Sequence, residues 1–98
     1  MIYRAYTLLI NKNMKLENPI IELDTHGMNT EQAVNAVKTA VAKAGPFVYR
    51  IHIIHGYRGG TKIRSAIREE FSYGREPKVI RVSMGDNEGV TDLILREY

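Results

Sequence analysis

Two stretches of this chain place chemistry-bearing side chains at a turn: Asp24-Thr25-His26-Gly27 and His55-Gly56. The first closes the apolar run Ile20-Ile21-Glu22-Leu23. The second closes Val48-Tyr49-Arg50-Ile51-His52-Ile53-Ile54. Each run reads as a buried strand that stops at a glycine turn and hands over to a helix. In open α/β sheets, ligands collect outside the carboxyl ends of the strands. Asp24, His26 and His55 are therefore candidates for catalysis or phosphate contact. Side chains alternate along an extended segment, which puts Asp24 and His26 on one side. An Asp–His pair near a second histidine is the minimum for proton transfer or for holding a divalent metal. The plainer alternative is structural, with Asp24 accepting backbone N–H bonds at the turn and the histidine bonding a neighbouring loop. His52 reads as a partly buried strand residue.

After His55 the chain runs Gly56-Tyr57-Arg58-Gly59-Gly60-Thr61-Lys62-Ile63-Arg64. Gly56, Gly59 and Gly60 let backbone N–H groups approach an anion, and a helix N-terminus attracts phosphate. Arg58, Lys62 and Arg64 add charge, with Arg68 one turn further on. The order of a P-loop is absent, and the glycines also suit a tight turn of positive φ. Basic residues at a helix N-terminus oppose the macrodipole, so an anionic partner supplies a reason for them. No Asp or Glu occurs between Glu31 and Glu69, a span that holds Lys38, Lys43, Arg50, Arg58, Lys62, Arg64 and Arg68. These seven cations sit in a chain of net charge only +3. Clustered positive charge attracts polyanions. The alternative is a solvated helix face.

The elements that must position these residues follow from periodicity and punctuation. Residues 1–10 are apolar and offer an extra strand or a tail docked on the sheet, and 11–15 read as a loop. A strand at 20–25 leads to a helix capped by Asn29 or Thr30, with Gln32 at capping-box spacing. Its stripe is Ala33, Val37, Ala40 and Ala44, widened by Val34 and Val41, and its alanines let it sit close to a sheet. Gly45-Pro46 stops it, with Gly45 expected in the left-handed conformation. A strand at 47–54 precedes a helix at 62–73, with Thr61 as its N-cap, Ile63, Ala66, Ile67 and Phe71 facing inward, and Gly74 ending it. Strands at 78–84 and 90–97 flank a glycine loop.

The order β-α-β-α-β-β predicts a two-layer α/β sandwich. Right-handed crossovers that progress the same way put both helices on one face of a mixed four-stranded sheet. Counting from the strand at 20–25, the order is 1-2-4-3. The loop before the last strand is too short for a crossover, so that strand returns antiparallel. Residues 1–15 form an N-terminal segment and 16–98 the domain proper.

Composition narrows the class. With 98 residues, 44% hydrophobic and 26% charged, the chain is an ordinary single globular domain. It has no cysteine, hence no disulfide framework, no thiolate metal site and no thiol nucleophile. No stretch approaches the roughly 20 apolar residues that span a bilayer. No basic leader with a cleavage site stands at the N-terminus. A cytoplasmic location without membrane contact is the expectation.

The Leu23-Asp24-Thr25-His26 run, the Ile53-Ile54-His55-Gly56 strand end, the basic glycine-rich helix start and the last strand after a glycine loop together resemble the small MutS-related (Smr) domain. The resemblance covers about residues 20–98 and implies a stand-alone version of that domain. It implies the fold of the C-terminal domain of bacterial translation initiation factor three. Members of that family bind nucleic acid, and several cleave DNA or RNA. The family's Leu-Asp-Leu-His motif maps onto residues 23–26, with Thr25 in place of leucine. Its His-Gly-x-Gly-x-Gly motif maps onto His55 and Gly56 and then departs, because Arg58 stands where the second glycine usually sits.

Three functions follow. The first is a nucleic-acid-binding module, for DNA or RNA, that contacts phosphates through Gly56, Arg58, Gly59, Gly60, Lys62, Arg64 and Arg68. The second is an endonuclease with His26 or His55 as general acid or base. In it Asp24 orients a histidine or holds Mg2+ or Mn2+, and Arg58 steadies phosphoryl charge. The third is a protein-interaction module that uses the N-terminal segment as an added strand.

Overall fold

The computed structural model describes residues 9–11, 14–17, 20–56, 60–85 and 87–97. Its elements in chain order are β1 (Leu9–Asn11), β2 (Met14–Glu17), β3 (Ile20–Asp24), α1 (Thr30–Lys43), β4 (Arg50–Ile54), α2 (Gly60–Phe71), β5 (Arg81–Met84) and β6 (Val90–Ile94). They form one six-stranded sheet in the order β1-β2-β3-β4-β6-β5. β3 and β4 are parallel, and β6 runs antiparallel between β4 and β5. The β3-β4-β6-β5 part is the 1-2-4-3 order expected from crossover handedness. Both helices pack on one face. Their buried residues Ala33, Val37, Ala40, Ile63, Ile67 and Phe71 share a core with Ile21, Leu23, Ile51, Ile53 and Leu93 of the strands.

The N-terminal segment supplies the extra strand, and more pairing than expected. β1 and β2 pair antiparallel, and β2 continues the sheet on β3 through Met14↔Leu23 and Glu17↔Ile20. The stretch 11–15 read as a loop therefore contains strand residues Asn11, Met14 and Lys15. An exposed β3 edge would leave backbone donors and acceptors unpaired, and pairing them outweighs the weak strand propensity of Asn and Lys. The sheet is continuous across positions 15 and 16. Residues 1–8 lie outside the described residues.

Helix α1 begins as its sequence dictates. Asn29 Oδ1 accepts the Gln32 backbone N–H at 2.8 Å, and Gln32 Oε1 accepts the Asn29 N–H at 3.0 Å. Asn29→Ala removes one partner of this reciprocal pair and is expected to cost about 1 kcal/mol, read as a lower midpoint in denaturant at unchanged slope. The other end departs from expectation. Gly45 does not have positive φ, and the cap residue Ala44 is extended at φ −66 and ψ 120. Pro46 accounts for Gly45, because a residue directly before proline is pushed to extended backbone. Lys78 caps the end from outside: its Nζ donates to Ala44 O at 3.1 Å and to Val41 O at 2.8 Å, the latter also accepting the Ala44 N–H.

Helix α2 starts at Gly60, which puts Thr61 inside the first turn rather than at the cap. It ends at Phe71, before Gly74, because Tyr73 already takes a left-handed φ of 63. The strands are shorter than periodicity suggests, with local turns before β4 and β5 and an irregular cross-strand pairing past the end of β6. Val48 N–H bonds Gly45 O, Val79 N–H bonds Glu76 O, and Leu95 and Arg96 both donate to Tyr49 O.

Candidate functional site

The ends of β3 and β4 are clipped together. Thr25 donates its N–H to Ile54 O at 2.9 Å and its hydroxyl to the same carbonyl at 3.1 Å. Thr25 is fully buried, so this residue is a polar fastener between the two strands. The chain then turns at Gly27, whose φ of +82 suits glycine.

Asp24 and His26 form a pair at this turn. Asp24 Oδ1 accepts the His26 backbone N–H at 3.0 Å and lies 2.6 Å from His26 Nδ1. An ionised carboxylate only accepts, so Nδ1 carries the proton and Nε2 is turned to solvent. The His26 side chain is 75% exposed. This is the geometry of an oriented histidine able to exchange a proton with a bound molecule.

His55 is placed differently. Gly89 O accepts the N–H groups of both His55 and Gly56, at 2.9 and 3.0 Å. His55 as a whole is 3% exposed. Its Nδ1 lies 3.1 Å from Gly56 O and its Nε2 2.8 Å from Thr91 Oγ1. A carbonyl cannot donate, so Nδ1 is protonated and Nε2 accepts from the Thr91 hydroxyl. Burial lowers the pKa of His55 below 6.5; the bond to Gly56 O works the other way, and the charges of Arg64 and Arg68 lower it further.

Strand parity explains the split. Ile51, Ile53 and then His55 fall on the helix side of the sheet, while Arg50, His52 and Ile54 fall on the other. Asp24 is the register partner of Ile54, so it belongs to the helix-free side. The structure therefore brings Asp24 and His26 together. Among the described residues no hydrogen bond or ion pair joins His55 to either of them.

The basic residues of α2 stand on the His55 side. Its first turn contains no acid. Lys62 and Arg68 are exposed and Arg64 is half-buried. None of the three is ion-paired with a described residue. Arg64 and Arg68 are one turn apart, hence neighbours on one helix face, and both act on His55. Gly56 has φ +81, a conformation natural to glycine, and Gly60 is the first helical residue. Arg58 and Gly59 lie outside the described residues.

One cluster escaped the sequence. Asp92, in the middle of β6, is buried on the helix-free side. Its Oδ1 lies 2.8 Å from His52 Nδ1, and its Oδ2 accepts Arg50 Nη1 at 3.0 Å. The available signal was a lone carboxylate inside Val90-Thr91-Asp92-Leu93-Ile94, since a buried charge must find donors. Among the described residues, no group of three His, Asp or Glu side chains is set to hold a metal ion such as Mg2+ or Mn2+. Among them, too, no helix is long and apolar enough to cross a membrane.

The chain is similar in structure to the Smr domain of Thermus thermophilus MutS2, with a TM-score of 0.65 and 27% identity over 78% of this chain and 98% of that one. No protein-family model matches the chain, and no curated protein matches it.

Proposed function

This chain is an Smr-like domain, and we propose that it binds nucleic acid through the start of α2 and the basic side chains along that helix. The observation that carries this reading is the set Lys62, Arg64 and Arg68 on a helix whose first turn lacks any acid. Cations there weaken the helix unless an anion joins them. A phosphate at the helix start meets its backbone N–H groups with Lys62 beside it, and Arg64 and Arg68 continue the positive charge along the helix for neighbouring phosphates. Gly56 and Gly60 belong to the same reading, and the sequence adds Arg58 and Gly59 as phosphate contacts. Such contacts take phosphates and carry no base information, so DNA and RNA are both substrates for the test. Labelled single- and double-stranded DNA and RNA are titrated with the protein at several salt concentrations. Binding is expected to weaken with salt at a slope of about −0.9 per phosphate contacted on duplex DNA. Absence of binding to all four at low salt overturns the reading.

The Asp24–His26 pair favours a second reading, phosphodiester cleavage. Its short contact and exposed Nε2 are what a general acid or base requires, and a phosphate chain held by α2 brings substrate to the same end of the sheet. His26→Ala is expected to leave affinity within about twofold and to lower any cleavage by roughly 100-fold or more, read on the same labelled substrates.

A further inference from the structure

We propose that His52, held by the buried carboxylate of Asp92, is a second proton-transfer group that works with His26 on the helix-free side of the sheet, with Arg50 as its phosphate contact. The proposal rests on the cleavage reading of the Asp24–His26 pair.

Of the three histidines in the chain, His26 and His52 share one arrangement and His55 has another. Both have Nδ1 against an aspartate oxygen, at 2.6 Å and 2.8 Å. Both therefore donate from Nδ1 and keep Nε2 for an outside partner. His55 has both ring nitrogens engaged. The His52 side chain is 20% exposed and has no other described partner. Register puts His52 between Glu22 and Asp92 across the sheet, one row from the Asp24–Ile54–Val90 row on the same side. Successive rows on one face of a sheet lie about 6.6 Å apart along the strands. Asp24 and the Asp92–His52 pair thus occupy adjacent rows of one face, with His26 held to Asp24 just past the end of β3.

The Asp92 side chain is only 5% exposed, and each of its oxygens has one donor. It fixes the orientation of two side chains at once, which is costly burial for a carboxylate without such partners. Arg50 gives one of its five N–H groups to Asp92, and with 46% of its side chain exposed the rest can reach a phosphate oxygen. In the step proposed, His52 Nε2 takes a proton from the attacking water as the new P–O bond forms. His26, as imidazolium, gives its Nε2 proton to the leaving oxygen as the old P–O bond breaks. One proton is taken and one is given, and no redox partner is needed.

The test measures single-turnover cleavage of labelled RNA and DNA against pH by the wild type, His26→Ala, His52→Ala and Asp92→Asn. The groups facing His52 are Glu22 on β3, Arg50 on β4 and Asp92 on β6. Expected for His52→Ala are a rate lower by about 100-fold or more, unchanged affinity, and loss of the acid-side limb of the profile. Asp92→Asn keeps the side-chain shape and is expected to displace that limb, which a merely structural role would leave in place. Folding is checked by circular dichroism, and His52→Gln replaces the alanine variant if that one does not fold. Wild-type rates and an intact acid limb in the His52 variant, with His26→Ala inactive, overturn the proposal and leave the cleavage reading standing. No cleavage by the wild type on any substrate overturns both.

Discussion

Replacing Arg64 and Arg68 together by glutamate is expected to weaken nucleic-acid binding by about 100-fold. Each charge-assisted contact to a phosphate contributes about 1.5 kcal/mol, and two of them correspond to roughly two decades in affinity. The salt dependence should flatten at the same time, its slope shrinking by about 1.8 for two lost phosphates on duplex DNA. The fold should tolerate the change. Removing Arg64 takes a cation away from the N-terminal side of α2, which partly offsets the loss of Arg68 from its last turn. A third readout follows from His55, whose pKa the two arginines help to lower. In the double variant the His55 imidazole should titrate at higher pH, visible in its ring proton shifts. A drop in affinity with an unfolded protein would mean nothing for the interface. A folded variant with shifted His55 and unchanged affinity would place the nucleic acid elsewhere.

How far the chain discloses this arrangement differs from residue to residue. The strand order was legible because handedness and one short loop leave few topologies. The start of α1 was legible because Asn29 and Gln32 stand at a spacing that only a capping box uses. The Asp24–His26 pair was legible from local spacing alone, since it needs no other element. His55 stands apart from the Asp24–His26 pair for a reason of strand parity. It shares parity with Ile51 and Ile53, the buried residues of its strand, whereas Asp24 shares parity with half-buried Glu22. Counting parity past the strand end would have separated them. The bond between His52 and Asp92 was beyond local spacing. It joins residues 40 positions apart and depends on the register of β6 against β4, which only the packed sheet determines. The β1–β2 hairpin was hidden for a related reason, as Lys15 becomes a strand residue by pairing with Glu22 of β3, and Asn11 by pairing with Met14 of β2, and not through their own propensity.

Burial and bonding give His55 a role in stability, and a substitution there should show a large effect. His55→Ala leaves the Thr91 hydroxyl without its acceptor, leaves Gly56 O without its donor and opens a cavity beneath the β4 end. The expected loss is about 3 kcal/mol from unsatisfied groups and lost packing together. For a domain of this size that lowers the melting temperature by roughly 15 °C. His55→Gln should lose less, because an amide can restore part of the bonding. Acid should narrow the gap. The unfolded chain takes up a proton at His55 near pH 6.5, whereas the folded chain resists it until a lower pH. Between those two values the unfolded state binds more protons, so wild-type stability falls with pH by up to about 1.4 kcal/mol per unit. The stabilising contribution of neutral His55 is complete above pH 6.5 and is progressively lost below it, down to the folded-state value. The stability difference between wild type and His55→Gln, measured in denaturant at pH 8, 7, 6 and 5, should therefore be constant at the first two and shrink at the last two. A difference that widens on acidification would mean that His55 is held protonated in the fold, with Nε2 donating to Thr91, and that the neutral tautomer assigned to it is wrong.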